Sequence, residues 1–235
     1  MKIGFISDIH GNLMGLNTCL EFLNKMNVDK IFCLGDLVGY LPDPSKAILR
    51  IKNLGISSLL GNVDAMFLGT LVFDKKKAQV YRIDEARKSV SSELKDYMST
   101  LLPWSEMTIG GKKLLLVHGS PSNPLNGYVY PDSDISYFKN WDYDAIFMGN
   151  THHPFIKKID GNKLIVNVGS SGLPRDQGDL SACTIYDTDT HSCEIFRLNF
   201  DAKRLLSQYE DKIHPSVADC LKRKSDNIFG KIVNA

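Results

Sequence analysis

The sequence predicts an α/β protein, and three observations support this prediction. Short apolar runs of strand length alternate with helical periodicity through about the first 150 residues, a pattern typical of right-handed βαβ units and a largely parallel sheet. Polar side chains follow the end of each of these strands. After residue 154, strand-like runs are separated by short turns such as Asp160-Gly161-Asn162, which indicates antiparallel pairing in the second half.

The first predicted strand is the apolar run that ends at Ser7. Leucines at three- and four-residue spacing form one apolar stripe over residues 13–26, which predicts a helix with Asn12 as its N-cap. The apolar run 31–34 is the second strand.

A second helix has clear boundary signals. Asp43 is in the N-cap position, Pro44 takes the first helical position and Gly55 ends the helix. The third strand covers residues 56–60. Residues 65–105 are richer in polar and charged side chains, and we interpret them as a helical excursion that leaves the sheet, covers one side of the site and returns.

The remaining elements follow from the same patterns. Within the excursion, helical tendency is strongest over 78–90 and 92–101, and a short helix is expected near 132–139. Two C-terminal helices, about 201–209 and 215–224, precede a tail that we expect to be frayed. Further strands are predicted at 114–117, 145–148, 155–159, 163–168, 181–187 and 192–199.

The composition is that of an ordinary globular protein. With 235 residues, 43% of them hydrophobic and 23% charged, residues 1–235 are expected to form one domain. A net charge of +1 argues against stable nucleic-acid binding. An odd number of cysteines, five, without a CxxC pair indicates reduced thiols. We expect no signal peptide, no membrane segment and a cytoplasmic location.

The candidate site residues stand at strand ends. Because ligands bind beyond the carboxyl ends of strands in parallel sheets, these side chains are expected to meet. Asp8 and His10 follow the first strand on a segment predicted to be extended, where residues two apart project the same way. The other candidates are Asp36, Asn62, His118, Asn150 and His152.

These residue types indicate a metal centre. Carboxylate, imidazole and amide groups suit divalent Mn, Fe or Zn. The set is too large for one ion and matches two ions that share a carboxylate. Two ions about 3.5–4 Å apart can activate a bridging water and hold both the attacking and the leaving oxygen of an in-line phosphoryl displacement. A single structural zinc is a poor alternative, because such sites use closely spaced Cys and His residues.

Five motifs resemble, in order and in placement at strand ends, the blocks of the calcineurin-like metallophosphoesterases: Asp8-x-His10, Gly35-Asp36, Gly61-Asn62-x-Asp64, His118-Gly119 and Gly149-x-x-His152. The resemblance runs from residue 1 to about 190. Other fragments are similar to a prokaryotic branch of small stand-alone members, related to phosphodiesterases and diadenosine tetraphosphatases: Gly35-Asp36-Leu37-Val38-Gly39-Tyr40, Pro42-Asp43-Pro44, Asn167-x-Gly169-Ser170 and Pro174-Arg175-Asp176.

The resemblance implies a four-layer αββα sandwich of two mixed sheets flanked by helices. It also implies two divalent ions, with Mn preferred and Fe, Zn and Ni as alternatives, and a bridging hydroxide that attacks phosphorus in line. The implied ligands are Asp8, His10, Asp36 and His152 for one ion, and Asp36, Asn62, His118 and Asn150 for the other, with Asp36 as the bridge. The implied catalytic residues are Asp36, Asn62 and His118, and the implied substrate-binding residues are Asn62 and Arg175.

Two positions depart from the family pattern. Asn150 replaces a histidine, which predicts a second metal site of lower affinity or one biased towards Mn; the adjacent His153 is an alternative ligand. Val63 replaces a histidine thought to protonate the leaving group or to contact the phosphate in many relatives. Its absence favours activated esters or phosphoanhydrides as substrates.

Simpler roles remain open for several of these residues. Asp8 and Asp36 could cap helices, Asn62 could be a turn residue, and His118 could be a core histidine. Arg175 is a candidate phosphate clamp, because arginine binds phosphate bidentately, but a salt bridge with Asp176 or Asp179 fits equally well. For Tyr128, Tyr130 and Trp104 we favour plain packing over a role as pocket walls, and Lys75-Lys76-Lys77 is interpreted as a solvated loop.

The function predicted from the sequence is that of a metal-dependent phosphoric ester hydrolase. Its substrate would be a small phosphorylated molecule, with nucleotides included. The bond that it hydrolyses would be a phosphodiester, a phosphomonoester or a phosphoanhydride. The alternative is a catalytically weakened fold that serves as a protein-binding scaffold. The converging buried polar groups argue against this alternative, since a scaffold does not need them. The oligomeric state is left open.

Overall fold

The computed structural model of the protein describes residues 1–233. Its centre is formed by two mixed β-sheets of six and five strands. The strands are β1 Lys2–Ile6, β2 Lys30–Cys33, β3 Ser57–Ser58, β4 Trp104–Ile109, β5 Lys112–Val117, β6 Ala145–Met148, β7 Phe155–Ile159, β8 Lys163–Asn167, β9 Leu180–Asp187, β10 Ser192–Asn199 and β11 Lys231–Val233. The helices are α1 Leu13–Lys25, α2 Pro44–Asn53, α3 Asn62–Leu68, α4 Ala78–Tyr81, α5 Ile83–Ser89, α6 Ser92–Ser99, α7 Ala202–Gln208 and α8 Pro215–Lys222.

The strand order places the predicted parallel strands in two sheets. The first sheet runs β11-β10-β9-β1-β2-β3, and within it β1, β2 and β3 are parallel. The second runs β4-β5-β6-β8-β7, with β5, β6 and β8 parallel and β4 and β7 antiparallel at its edges. The parallel pairing expected in the first half is therefore present, but it is divided between two sheets. The implied architecture, two mixed sheets flanked by helices, is confirmed.

Alternating side chains build the core between and outside the sheets. On β5, Leu114 and Leu116 point to the layer between the sheets, whereas Leu115 and Val117 point to the outer layer. In the inner layer the rings of Phe5 and Phe147 stack with their centroids 4.1 Å apart, which joins the two sheets. Helices cover the outer face of the first sheet, and residues around the 3₁₀ helix Ser136–Asn140 cover that of the second.

Two regions differ from the sequence prediction. The segment assigned to the helical excursion begins with α3, which was not predicted, and its end lies in β4, since residues 104–109 form a strand. The tail expected to be frayed ends in β11, which pairs in parallel with β10 at the sheet edge. Within residues 1–233, no helix is long and apolar enough to cross a lipid bilayer.

Candidate metal centre

All seven residues predicted as metal ligands lie together beyond the strand ends, between the two sheets. Each is buried, with at most 5% of its surface exposed. Asp8 and His10 follow β1, Asp36 follows β2, and Asn62 follows β3. His118 follows β5, and Asn150 and His152 follow β6. The convergence predicted from the strand ends is what the structure shows.

The backbone that carries these residues is not extended. Asp8 and His10 have φ angles of 52° and 51°, in the left-handed region, so the expected extended segment is not formed, although both side chains still enter the same group of ligand atoms. Five of the seven share this conformation: Asp8, His10, Asp36, Asn150 and His152. Aspartate, asparagine and histidine tolerate it better than most residues, yet it costs roughly 1–3 kcal/mol at each position unless the surroundings hold it.

Hydrogen bonds from the β2 loop, residues 34–38, hold the strained segment after β1. The backbone N–H of Asp8 donates to the carbonyl of Gly35 at 2.9 Å, and that of His10 donates to the carbonyl of Asp36 at 2.9 Å. The unusual backbone is therefore fixed by a second loop that itself carries a candidate ligand.

The first group of ligand atoms contains Asp8, His10 and His152. Oδ1 of Asp8 lies 3.3 Å from Nε2 of His152 and 4.0 Å from Nε2 of His10. The Nε2 atoms of the two histidines are 3.1 Å apart. Three ligand atoms thus surround one small volume.

The second group contains Asp8, Asp36 and His118. Oδ2 of Asp36 is 3.6 Å from Nε2 of His118 and also 3.6 Å from Nε2 of His10. Its other oxygen accepts a hydrogen bond from the backbone N–H of Val63 at 2.8 Å. One oxygen of Asp36 therefore stands between a histidine of each group, while Asp8 belongs to both groups.

The hydrogen bonds of the three histidines define their tautomers. Each Nδ1 lies next to a backbone carbonyl: that of Val38 for His10 at 2.9 Å, that of Leu34 for His118 at 2.7 Å, and that of Leu173 for His152 at 2.5 Å. A carbonyl only accepts, so each Nδ1 carries a proton, and in the neutral ring each Nε2 presents a lone pair to the centre. Histidine ligands of metal sites are oriented in this way.

Unsatisfied atoms show that a cation fits this centre. Within residues 1–233, three buried side-chain atoms of the candidate set have no hydrogen-bond partner: Oδ1 of Asp8, Oδ1 of Asn62 and Nε2 of His118. Orphaned buried polar atoms are rare, because each costs about 1–3 kcal/mol. All three are acceptors, and the facing lone pairs of His10 and His152 are acceptors too. Divalent ions would satisfy every one of them.

Burial shifts the pKa values in this centre. Burial raises the pKa of Asp36 to about 8, and the nearby Asp64 and Asp8 carboxylates act in the same direction. Burial also lowers the pKa of His10 and of His152, so both rings stay neutral at ordinary pH. Neutral imidazoles are the form that binds metals, whereas Asp36 must lose a proton to do so.

Two asparagines are oriented by the loop that follows β5. Nδ2 of Asn62 donates to Oδ1 of Asn126 at 2.9 Å, which leaves Oδ1 of Asn62 free as an acceptor. Nδ2 of Asn150 donates to the carbonyl of Gly127 at 2.8 Å. Nothing in the sequence singles out Asn126 beyond its place in a loop rich in Pro, Gly and Asn.

The capping role considered for Asp8 and Asp36 is not seen. The cap of α1 is Asn12, whose side chain accepts from the N–H of Gly15, and Asp43 stands at the start of α2. Asp8 and Asp36 therefore cap neither helix. His153, the alternative ligand, packs its ring 5.9 Å from that of Tyr130.

Comparison with known proteins agrees with this geometry. Residues 1–191 match the family model described as the calcineurin-like phosphoesterase superfamily domain. The chain belongs to this superfamily. The prediction of a phosphoric ester hydrolase is thereby confirmed at the level of the family.

Three relatives of this calcineurin-like phosphoesterase span most of its length. An uncharacterized protein of Methanocaldococcus jannaschii, MJ0912, is 33% identical over 218 residues, which cover 86% of this chain and 89% of the relative. Phosphodiesterase YfcE of Escherichia coli K12 is 23% identical over 202 residues, or 82% and 90% of the two chains. The crystal structure of a metallophosphoesterase from Sphaerobacter thermophilus has a TM-score of 0.78 and 26% identity, with 94% and 98% coverage.

A polar pocket of about 230 Å³ opens onto the ligand set of the phosphoesterase. Beyond the candidate ligands, it is lined by Tyr40, Val63, Lys77, Tyr81, Tyr128 and Arg175. Lys77 and Tyr81 come from the helical excursion, so Lys77 is more than part of a solvated loop. Tyr128, for which packing was favoured, is a pocket wall. A larger groove of about 650 Å³ between the C-terminal ends of α1 and α2 contains none of the candidate ligands.

Arg175 reaches this pocket without an acidic partner. Within residues 1–233 Arg175 forms no ion pair. The two candidate partners are taken by other cations: Asp176 pairs with Arg197, and Asp179 pairs with Lys224. The salt bridges offered as its alternative role are therefore not formed. Ser170 accepts from the backbone N–H of Leu173 at 2.7 Å and shapes the turn that leads to Arg175.

Proposed function

We propose that this protein hydrolyses a small phosphorylated substrate with the help of two divalent ions. Asp8, His10, Asp36 and His152 would hold one ion, and Asp36, Asn62, His118 and Asn150 the other. The observation that carries the proposal is the position of Asp36, whose Oδ2 is 3.6 Å from Nε2 of both His10 and His118. When bound, the ions would polarise the phosphoryl oxygens and supply an activated water at neutral pH.

The two proposed sites differ in their donor atoms, which favours Mn. The first offers two imidazoles and two carboxylates, whereas the second offers one imidazole, one carboxylate and two amides. Amide and carboxylate oxygens suit Mn better than they suit Zn, which binds imidazole and thiolate strongly. We therefore propose Mn as the native metal, with the second site the weaker one.

The chain's own residues would bind the phosphate, and Val63, at the position of the missing histidine, would supply no acid to the leaving group. The guanidinium of Arg175 and the amine of Lys77 both line the pocket, and within residues 1–233 neither forms an ion pair. Both are free to bind phosphate oxygens. Val63 lies in the same pocket and has no proton to donate to a leaving oxygen.

These features support substrates with good leaving groups. A pocket of about 230 Å³ is smaller than the roughly 300–1,000 Å³ typical of ligand pockets, so it would hold little more than the reacting phosphate and its neighbour. A second cation, Lys77, in the same pocket as Arg175 favours a substrate with a second anionic group close to the reacting one. We propose phosphoanhydrides and activated phosphodiesters, nucleotides among them, because they depart without protonation.

The test is turnover by the chelated protein after reloading with Mn, Ni, Fe or Zn in turn. The substrates are p-nitrophenyl phosphate, bis-p-nitrophenyl phosphate and a dinucleoside tetraphosphate. We expect Mn-dependent turnover that favours the last two and is lost in Asp36→Ala. Asp132→Asn, a change at an exposed carboxylate, is the matched control and should keep full activity.

Two results would contradict the proposal. One is turnover that survives Asp36→Ala. The other is a folded, metal-loaded protein that hydrolyses none of the substrates, which would instead favour the protein-binding scaffold.

A further inference from the structure

A buried ion pair joins the C-terminal part of the chain to the neighbour of Arg175. Arg197 on β10 is fully buried, and its Nη2 donates to Oδ1 of Asp176 at 2.8 Å while Nη1 pairs with Oδ2. The same guanidinium donates to the carbonyl of Leu180 at 2.9 Å and to that of Phe229 at 3.2 Å. Residues 192–233, the C-terminal segment, lie outside the region that matches the family model.

Stability alone is a weak reason for this pair. Bringing both charges out of water costs several kcal/mol, and well-packed apolar side chains often stabilise a protein as much as a buried ion pair does. Nε of Arg197 is moreover buried without a partner among the described residues. A pair of this kind is better explained by the single loop conformation that it selects.

The C-terminal segment makes further contacts with the Arg175 loop, residues 174–179. Nη1 of Arg223 donates to the backbone carbonyl of Arg175 at 2.6 Å, and the N–H of Gly178 donates to the carbonyl of Arg223 at 3.0 Å. The N–H of Ser225 donates to Oε1 of Gln177 at 2.8 Å. The C-terminal segment thus holds the backbone of the Arg175 loop at Arg175 and Gly178 and the side chain of Gln177.

The same contacts remove the competitors of the substrate phosphate. Asp176 and Asp179 are the carboxylates nearest in sequence to Arg175, and each would attract its guanidinium. Both are already paired, with Arg197 and Lys224 of the C-terminal segment. The Arg175 side chain is therefore left with its charge available in the pocket.

We infer that the C-terminal segment positions Arg175 for phosphate binding. Arg197, acting through Asp176, and Arg223, acting through the carbonyl of Arg175, are its positioning residues. This inference rests on the proposed function, since it assumes that the pocket binds a phosphorylated substrate. A pre-formed loop with an unpaired guanidinium binds an anion more tightly than a mobile loop with a paired one. Less conformational entropy is lost on binding, and no ion pair has to break first.

The test is the affinity of the Mn-loaded protein for inorganic phosphate, measured by calorimetry, together with KM and kcat for bis-p-nitrophenyl phosphate. Arg175→Ala should weaken phosphate binding about tenfold, the loss of one charge-assisted bidentate contact. Arg197→Lys and Arg223→Ala should each weaken it several-fold and raise KM more than they lower kcat. Lys222→Ala, an exposed change next to Arg223, is the control and should bind phosphate like the unaltered protein.

A double-mutant cycle separates positioning from a merely structural role. If Arg197 and Arg223 act through Arg175, their substitutions should have no further effect on phosphate affinity in the Arg175→Ala protein. Equal losses in both backgrounds would overturn the inference, as would an affinity within twofold of the unaltered protein in both single variants. Arg223 is exposed, so its variant gives an answer even where a change at buried Arg197 prevents folding.

The outcomes for this inference and for the proposed function are distinct. A protein that binds phosphate through Arg175 but hydrolyses nothing would refute the proposed function and leave the positioning role supported. If Arg175→Ala leaves phosphate affinity unchanged, or if the unaltered protein binds no phosphate, the positioning role is overturned whatever the turnover.

Discussion

Loading the chelated protein with Mn should stabilise it strongly, and Asp36→Asn should abolish most of this effect. Three buried acceptor atoms of the ligand set have no partner within residues 1–233. At about 1–3 kcal/mol each, they represent a penalty that bound ions would remove. By mass action, each ion present at 100 times its Kd stabilises the native state by about 2.7 kcal/mol, or roughly 5 kcal/mol for two.

The expected rise in Tm follows from the size of the chain. For a protein of 150–250 residues, 1 kcal/mol corresponds to about 2–4 °C, so two ions should raise Tm by roughly 10–20 °C and one by about half as much. Differential scanning calorimetry of the chelated and the Mn-loaded protein measures the shift. Titration of the metal separates one binding step from two.

Asp36→Asn tests the shared ligand without disturbing the metal-free protein. Since the pKa of Asp36 is raised to about 8 by burial, the side chain is mostly protonated at neutral pH when no ion is bound. An amide resembles a protonated carboxyl group, and its oxygen can still accept from the N–H of Val63. The metal-free Tm should therefore change little, while the Mn-induced rise should fall by at least half. A rise of less than about 3 °C in the unaltered protein, or the same rise in Asp36→Asn, would refute the reasoning.

Four further predictions concern the ligand set. In the metal-free protein the raised pKa of Asp36 means that the folded state holds a proton that the unfolded state has already lost above pH 4, so the contribution of Asp36 to stability should fall as pH rises from about 4 to 8. The lowered pKa values of His10 and His152 act in the opposite direction below about pH 6.5, so chemical denaturation of the unaltered protein and of Asp36→Asn at several pH values isolates this contribution. Because Asp36 must lose its proton to bind an ion, Mn affinity should drop by up to about tenfold per pH unit below 8, measured by competition with a chelator; a pH-independent affinity would contradict this. Asn150→His should raise Zn affinity at the weaker site relative to Mn, read from competitive metal titration, and equal ratios before and after the change would argue against Asn150 as a ligand. Asn126→Ala should lower the metal affinity of that site about 10- to 100-fold, because it frees the Asn62 side chain to rotate. Asn162→Ala, at an exposed turn, is the control. An unchanged metal affinity in Asn126→Ala would exclude this orienting role.

The ligand set was predictable because its signal is local. Each candidate follows an apolar run at a strand end, and parallel strands place such positions together whether they lie in one sheet or two. The conformation of the ligands was not predictable in the same way. The left-handed backbone of Asp8 and His10 depends on hydrogen bonds to the carbonyls of Gly35 and Asp36, which pairing of distant segments creates.

The surroundings of the site depend on long-range contacts that leave no pattern in the sequence. Lys77 and Tyr128 enter the pocket from a helical excursion and a loop, whose paths follow from packing and not from periodicity. The sequence pattern predicts a frayed tail after residue 224, yet β11 pairs with β10 in the first sheet. Arg197, the ion-pair partner of Asp176, likewise lies 21 residues away, on β10.

The β2 loop, residues 34–38, connects both proposed ion sites. Its carbonyls orient His10 through Val38 and His118 through Leu34, and its own Asp36 stands between the two rings. Gly35 allows this arrangement, because its φ is 99° and a Cβ there would lie 2.6 Å from the backbone nitrogen of Gly61. An ion bound on either side would therefore tighten the same loop that shapes the other side. Occupation of one site should therefore change the affinity of the other, and the two steps of a metal titration measure this coupling.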